Sequence, residues 1–206
     1  QRQAVREAGR LAGLFVERIV NEPTAAALAY GSVNKVNQKV LVYDLGGGTF
    51  DASVMQLHDG VYEVLSTGGD TFLGGIDFDT AVVQWLLAKF KEKHGVEFSA
   101  DRVATQRLFD AAERAKCHLS EGQTARVHVP FATLLDNKPV DIDSTLTRDE
   151  LVEITKGLVE RTLEVVRDVL QNRELTPKDI DAVLLVGVRD PIGRQGHRPP
   201  GAGTIH

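Results

Sequence analysis

The segment with the clearest chemical content is DLGGGTFD at residues 44–51, where two aspartates flank three glycines and a threonine. Glycines in a tight hairpin permit positive φ angles and let backbone N–H groups converge on one point, which makes a small nest for phosphate oxygens. The hydroxyl of Thr49 adds a donor at the same place. Asp44 and Asp51 would repel a bare phosphate, so they favour Mg²⁺ placed between the carboxylates and a nucleotide. A glycine-rich hairpin with solvated carboxylates is the alternative that the motif alone leaves open.

The setting of these glycines separates the motif from two other phosphate-binding patterns. Runs typical of strands precede and follow it, VLVYDL at 40–45 and TFDASVMQL at 49–57. In the Rossmann fingerprint and in the P-loop, the glycines lead into a helix instead. The lysine and hydroxyl pair that completes a P-loop does not follow here, which excludes that motif.

A second candidate set lies on a predicted helix. Glu113, Lys116 and Ser120 have the spacing i, i+3 and i+7, so they share one face, although a solvated helix face is the simpler interpretation of the spacing alone. Cys117 and His118 lie beside them, but the six histidines show no paired spacing and therefore do not indicate a metal site. The single cysteine excludes an intrachain disulfide and fits a reducing compartment.

The elements that must position these residues alternate between helical and strand-like periodicity. Turn residues at 59–60 and 136–137 separate strand-like runs, and Thr147 with Glu150 forms a capping box for a long helix. Its inward residues are predicted to be Leu151, Ile154, Leu158, Leu163 and Val166. The predicted helices cover 1–12 (ending at Gly13), 24–30 (ending at Gly31), Asp77 to at least Phe90, 101–120 and 147–170, with a helical turn at Thr176-Pro177; the predicted strands cover 14–20, 40–45, 49–57, 59–67, a hairpin within 124–145, and a buried strand at 182–187, with 32–39 as a loop.

Four segments in a fixed order carry a resemblance to a known family. They are NEPTAAALAYG (21–31), DLGGGTFD (44–51), GGDTFLGGIDFD (68–79) and RLFDAAERAKCHLS (107–120). Together they closely resemble the ATPase domain of DnaK-type (70-kDa heat-shock) chaperones, from residue 1 to about Gly187. The resemblance implies an α/β fold of the actin-like ATPase (ribonuclease H-like) type, with nucleotide between two lobes. It also implies ATP or ADP with Mg²⁺ as cofactors, and, in the intact parent, unfolded client proteins, a J-domain co-chaperone and a nucleotide-exchange factor as partners.

By position, the resemblance also implies the roles of individual residues. The catalytic set is Glu22, Asp44 and Thr49, in which the carboxylates place Mg²⁺ and the attacking water. The implied metal neighbours are Asp44, Glu22 and Asp51, largely through water. The implied nucleotide-binding residues are Gly46, Gly47, Gly48, Thr49, Gly74, Gly75, Glu113, Lys116, Ser120 and Gly187, with the helical trio lining the adenosine pocket.

The same resemblance suggests how the chain is divided. Residues 1–67 correspond to a partial lobe one with the phosphate-loop hairpin, 68–187 to lobe two and the return to lobe one, and 188–206 to an atypical tail expected to be disordered. The family's opening strands, first phosphate loop and catalytic lysine have no counterpart here, so we expect an incomplete fold cut from a longer protein and little or no ATP hydrolysis by this chain alone. Ile76 stands where family members usually carry an acidic residue.

Bulk composition narrows the remaining function classes. The net charge of -5 argues against nucleic acid as a partner, and no apolar run approaches the length that a membrane span needs. We therefore expect a cytoplasmic protein with neither partner. Two alternatives stay open: an inactive remnant of the chaperone domain, and another enzyme of the same fold, such as a sugar kinase.

Overall fold

The computed structural model describes residues 2–34, 37–99 and 101–187, so the predicted tail at 188–206 lies outside the described residues. None of the helices in this part of the chain has the length and hydropathy that a bilayer span requires. The elements are α1 Arg2–Leu11, α2 Glu22–Asn34, β1 Gln38–Leu45, β2 Phe50–His58, β3 Val61–Asp70, α3 Gly75–His94, α4 Arg102–Leu119, β4 Thr124–Leu135, β5 Lys138–Thr147, α5 Arg148–Gln171, a 3₁₀ turn Pro177–Asp179 and β6 Ala182–Gly187.

The glycine hairpin projects from a four-stranded sheet with the order β3-β2-β1-β6. β1 and β2 pair antiparallel, with Asp44 opposite Asp51 and Leu45 opposite Phe50, so residues 46–49 form the loop between them. β6 lies parallel to β1 on the other side. Most residues of β1 and β2 are buried, as their apolar runs predict for strands covered on both faces.

Each face of this sheet is covered by a different helix. Val40, Val42 and Met55 belong to one core cluster, which also contains Ala27 of α2. The opposite face packs against α5 and the start of α3 through a second cluster. The members of that second cluster include Leu41, Leu45, Phe50, Leu73, Phe78, Val169 and Leu170. This double cover places the hairpin at the end of a strand pair that is packed on both faces.

A third and larger core lies between helices and a separate two-stranded sheet of β4 and β5. The helix predicted at 101–120 is confirmed as α4, and its apolar positions are buried: Ala104, Leu108, Ala111, Ala112, Ala115 and Leu119. All of these except Ala104 belong to this core. α3 contributes to this core with Val82, Leu86 and Phe90, while its first turn contributes Phe78 to the sheet core. α3 therefore joins the two cores.

Local signals at turns and helix ends are confirmed. The Thr147 hydroxyl accepts from Glu150 N at 3.1 Å, and the Glu150 carboxylate accepts from Thr147 N at 2.9 Å, which is the predicted capping box. Asp59 and Gly60 both have positive φ in the β2–β3 turn. Gly13 ends α1 with φ 77°, donating to the carbonyl of Arg10.

Two predictions near the start of the chain are wrong. Residues 14–20 form no strand: Phe15 is 93% exposed, and no strand of the described residues pairs with this segment. Gly31 does not end α2 but lies inside it, and α2 extends to Asn34 into the predicted loop. A Cβ on Gly31 would lie 2.6 Å from the Tyr62 hydroxyl, so close contact with β3 accounts for this glycine.

Two further corrections concern burial. Leu163 of α5 was predicted to face inward but is 39% exposed, because it lies beside the stripe that contacts the sheet. β6 was predicted to be a buried strand, yet only one of its faces is covered, and Val183 and Leu185 are exposed on the other. The division of the chain at residues 67 and 187 stays a prediction.

Truncating a side chain in the larger core should lower the free energy of unfolding, whereas truncating one on the exposed face of α5 should not. Leu108→Ala removes a side chain that is 2% exposed, and we expect it to lower the free energy of unfolding by about 2–5 kcal/mol. Leu163→Ala is the matched control and should change it by no more than about 0.5–1 kcal/mol. Urea unfolding followed by the fluorescence of Trp85, the single tryptophan, measures both, since Trp85 packs against this core. Equal losses in the two variants would contradict this assignment of the core.

Candidate functional site

The loop of the glycine hairpin is closed by one internal hydrogen bond, from Gly46 N to Thr49 O at 2.8 Å. Glycine permits positive φ angles at Gly46, Gly47 and Gly48, but the hairpin does not use them. None of the three lies in the left-handed region, which the described glycines occupy only at 13, 60, 95 and 187. A Cβ added at Gly47 or Gly48 would meet nothing within 4 Å, and one at Gly46 would meet only Thr49 of the same loop, at 3.2 Å. The close approach that requires glycine lies on the neighbouring turn instead.

The hairpin is docked on the turn that begins α3, backbone against backbone. Gly75 N donates to Gly46 O and Ile76 N donates to Gly47 O, both at 2.9 Å. The first N–H groups of a helix have no intrahelical partner, and here the hairpin carbonyls satisfy two of them. A Cβ on Gly74 would lie 2.4 Å from Gly48 Cα and N, although φ of -160° at Gly74 suits any residue. Space, not backbone conformation, therefore requires glycine at this contact.

Asp77 fixes the Gly74 turn from the helix side. Its carboxylate accepts from Gly74 N at 2.8 Å, and its own N–H donates to Gly74 O at 2.9 Å. Sequence reasoning did not assign Asp77 to the site. The available signal was an acidic residue in the first turn of a helix, where it also interacts favourably with the helix dipole.

The outer part of the hairpin offers hydrogen-bond donors to solvent. Gly47, Gly48 and Thr49 are exposed. Their N–H groups donate to no backbone carbonyl of the residues that the structure describes. Successive unpaired N–H groups in a loop, together with the Thr49 hydroxyl, can donate hydrogen bonds to the oxygens of an anion.

Negative charge is concentrated behind the loop. Asp44 is buried at 9% exposure, and burial raises the pKa of its carboxyl, with further raising by the charges of Glu22 and Asp51. Gly187, at the end of β6, lies next to this carboxyl: a Cβ on Gly187 would be 2.7 Å from Asp44 Oδ1. Gly187 also has a positive φ of 103°. Within the described residues, no cluster of three or more acidic, histidine or cysteine side chains has metal-binding geometry. The three carboxylates interact electrostatically without forming such a cluster.

The trio on α4 does not form one solvated face. Lys116 is buried, with its ammonium 2.7 Å from Asp79 Oδ1 and donating to Gly75 O at 3.0 Å. Glu113 is exposed. Burial raises the pKa of the Asp79 carboxyl, and the charge of Glu113 raises it further. Ser120 caps the helix end and donates to Cys117 O at 2.5 Å. Lys116 is thus brought to the Gly74–Gly75 turn, while Ser120 bonds within its own helix end.

Asp79 is the functional candidate that sequence reasoning missed. Its partner Lys116 lies on another helix, and no local pattern connects the two residues. The assembled site therefore contains the hairpin loop 46–49, Gly74 and Gly75, Gly187, Asp44 and Lys116, with Glu22 and Asp51 near Asp44.

The contact between Gly74 and the hairpin should not tolerate a methyl group. Gly74→Ala places a Cβ against the backbone of Gly48, and we expect a loss of about 1–3 kcal/mol in the free energy of unfolding. Gly157→Ala is the matched control, because Gly157 lies inside α5 with nothing within 4 Å of its Cβ position. There the substitution should stabilise by about 0.5–1 kcal/mol. Chemical denaturation measures both, and a neutral Gly74→Ala would refute the close contact.

Asp44 should make the folded state less stable as pH rises. Since its pKa is raised in the folded state, its contribution to stability is fully present below the ordinary value of 3.8 and is lost as pH rises through the raised value. We therefore expect Asp44→Asn to raise the thermal midpoint at pH 7, with the gain shrinking as pH falls toward 3.8. In Asp143, the Arg126 guanidinium lowers the carboxyl pKa, so Asp143→Asn should give no such gain. A pH-independent effect of Asp44→Asn would contradict this prediction.

A model of the Hsp70 protein family matches residues 1–192. This match confirms the resemblance to 70-kDa heat-shock chaperones and extends slightly beyond Gly187, where the sequence comparison placed its end. It also confirms the actin-like ATPase fold, with which the mixed α/β architecture of the described residues agrees. Members of the family bind ATP, client proteins and co-chaperones. The chain therefore belongs to the Hsp70 family of ATP-binding chaperones.

Proposed function

We propose that this chain binds Mg²⁺-ATP and Mg²⁺-ADP through the glycine hairpin and serves as nucleotide-binding machinery of an ATP-dependent folding chaperone. The observation that carries the proposal is the docking of the hairpin on the Gly74–Gly75 turn, with exposed donors in front and a buried carboxylate behind. Family membership supports nucleotide as the ligand.

The phosphate end of the nucleotide would bind at the outer part of the hairpin. The N–H groups of Gly47, Gly48 and Thr49 are exposed donors, and the Thr49 hydroxyl adds a fourth. Hydrogen bonds from neutral donors to charged oxygens are stronger than those to neutral acceptors. Because the Gly46 N–H and the carbonyls of Gly46 and Gly47 are already engaged, the loop is held in place before the ligand arrives.

The carboxylates fit a divalent cation. Burial, and then the charges of Glu22 and Asp51, raise the pKa of Asp44, so its ionised form is disfavoured. A cation bound nearby would favour the ionised form. Asp44, Glu22 and Asp51 would hold Mg²⁺, largely through water. When bound, the ion neutralises phosphate charge. Asp44 and Glu22 would orient the attacking water by accepting its hydrogen bonds.

The adenosine end would lie toward α4 and the end of β6. Glu113, Lys116 and Ser120 supply polar groups on α4, and Gly187 allows close approach because it carries no side chain. Lys116 connects this end to the phosphate end, since its ammonium binds Gly75 O. Client proteins, a J-domain co-chaperone and a nucleotide-exchange factor remain proposed partners of the longer protein.

Nucleotide titration tests the proposal. In isothermal titration calorimetry with Mg²⁺-ADP and Mg²⁺-ATP, we expect binding that Thr49→Ala weakens by about 10-fold, as the loss of a hydrogen bond to a charged group predicts. Thr124→Ala removes the hydroxyl of another exposed threonine, on β4, and should leave nucleotide affinity unchanged. Omitting Mg²⁺ should weaken nucleotide binding by the wild-type chain more than nucleotide binding by the Asp44→Asn variant.

Two outcomes would count against this function. Absence of nucleotide binding by the wild-type chain would favour an inactive remnant, and unchanged affinity in Thr49→Ala would move the phosphate away from the hairpin. Whether the chain alone hydrolyses ATP is a separate question, because phosphoryl transfer depends on positioning more strictly than binding does. The expectation of little or no hydrolysis stays a prediction, which a single-turnover assay checks.

A further inference from the structure

A buried ion pair joins α4 to the first turns of α3. The Lys116 ammonium lies 2.7 Å from Asp79 Oδ1, and the two side chains are only 4% and 13% exposed. Asp79 Oδ1 is closed off from solvent, and the contact has the distance of an ion pair without the alignment of a hydrogen bond. The same ammonium donates to Gly75 O at 3.0 Å.

Stability alone does not explain why these charges are buried. Taking two charges out of water is costly, and replacing such a pair with apolar side chains is often neutral or stabilising. A lysine near the N-terminal turn of a helix also faces the positive end of the helix dipole. Asp79 supplies the negative charge that keeps the Lys116 ammonium in this unfavourable place, so the pair determines where the ammonium lies.

Gly75 is the residue through which this placement reaches the hairpin. Its carbonyl accepts from Lys116, and its N–H donates to Gly46 O at 2.9 Å. The next N–H, of Ile76, donates to Gly47 O at the same distance. One short series of contacts therefore runs from Asp79 through Lys116 and Gly75 to the loop.

We propose that Asp79 is a positioning residue of the nucleotide site: it holds Lys116 on Gly75 O and thereby fixes the spacing between the hairpin and α4. This inference rests on the proposed function, in which phosphates bind at the hairpin and adenosine near α4. Asp79 itself touches no part of the nucleotide. A ligand that spans both ends gains affinity from a fixed spacing, whereas a ligand that occupies one end does not.

The first test needs no nucleotide. Hydrogen exchange followed by NMR in Asp79→Asn should show the amides of Gly75 and Ile76 exchanging about 10-fold faster or more, because their hydrogen bonds to the hairpin open more often. Amides of the β4–β5 hairpin should keep wild-type rates. Asp143→Asn, which removes a carboxylate from the exposed pair with Arg126, is the matched control and should leave Gly75 and Ile76 unchanged. Wild-type rates in Asp79→Asn, or equal acceleration everywhere, would overturn the proposal.

A double variant separates positioning from stability. Asp79→Leu with Lys116→Met replaces the pair by apolar side chains, and we expect it to keep the unfolding midpoint within a few degrees of wild type. Its Gly75 and Ile76 amides should nevertheless exchange as fast as those of Asp79→Asn. Slow exchange in this folded variant would show that packing, not the ion pair, holds the turn, and would overturn the role of Asp79.

The second test uses ligands of two lengths. Asp79→Asn should weaken Mg²⁺-ADP by about 10-fold and adenosine by less than about 2-fold, since only ADP spans both ends. Equal weakening of the two ligands would overturn the positioning role. If the wild-type chain bound neither ligand, the proposed function would fail, and the exchange rates of Gly75 and Ile76 would still decide whether Asp79 holds the turn.

Discussion

The two N–H groups that open α3 donate to the carbonyls of Gly46 and Gly47, and the arrangement of the whole site depends on this contact. The hairpin belongs to the sheet, whose two faces are packed by α2 and α5. α3 leads from the hairpin to the other core, where Leu86 and Phe90 are buried. Helix N-termini need acceptors for their first N–H groups, so the hairpin satisfies a requirement of α3 while α3 holds the hairpin. The interaction is short-range and made by main chain, which explains why a glycine is needed at position 74.

Two buried carboxyl groups lie near this contact, and they differ in whether a cationic side chain neutralises them. Asp44 and Asp79 are both buried carboxyls with raised pKa values, chiefly because of burial. Asp79 has the Lys116 ammonium at 2.7 Å, whereas Asp44 has no cationic side chain in ion-pair contact among the described residues and faces Glu22 and Asp51 instead. Such unrelieved charge is costly to a folded protein, and it is found most often where a ligand or a cation relieves it. In the function proposed above, Asp79 would hold Lys116 in place, and Asp44 would be left to interact with a bound cation.

Features that depend on neighbouring residues in sequence were predictable. The α4 stripe, the Thr147 capping box and the Asp59–Gly60 turn all follow from local periodicity or turn chemistry, and the structure has each of them. Features that depend on distant partners were not. The apolar segment at 14–20 has the pattern of a strand, but a strand also needs a neighbour to accept its hydrogen bonds. Gly31 has the position of a helix end, and only the approach of Tyr62 shows why it lies in the interior.

The site itself was predictable to the same extent. The hairpin and Lys116 were candidates from the sequence, but the contact between residues 48 and 74 was not, because it leaves no periodic signal. The pairing of Lys116 with Asp79 could not be predicted from the sequence for the same reason. Helix spacing puts Glu113 and Lys116 on one side, but burial of only one of them depends on α3.

Ile76 shows what a main-chain site tolerates. The family usually carries an acidic residue at this position, and an acid there would interact favourably with the helix dipole. Here the Ile76 side chain is 61% exposed, while its N–H still donates to Gly47 O at 2.9 Å. Asp77 already provides a carboxylate in the first turn, where it binds Gly74 N. Because the docking contact uses the backbone of residue 76, the side chain can change without removing it. The residues that cannot change are those whose missing side chain makes the approach possible, Gly74 above all.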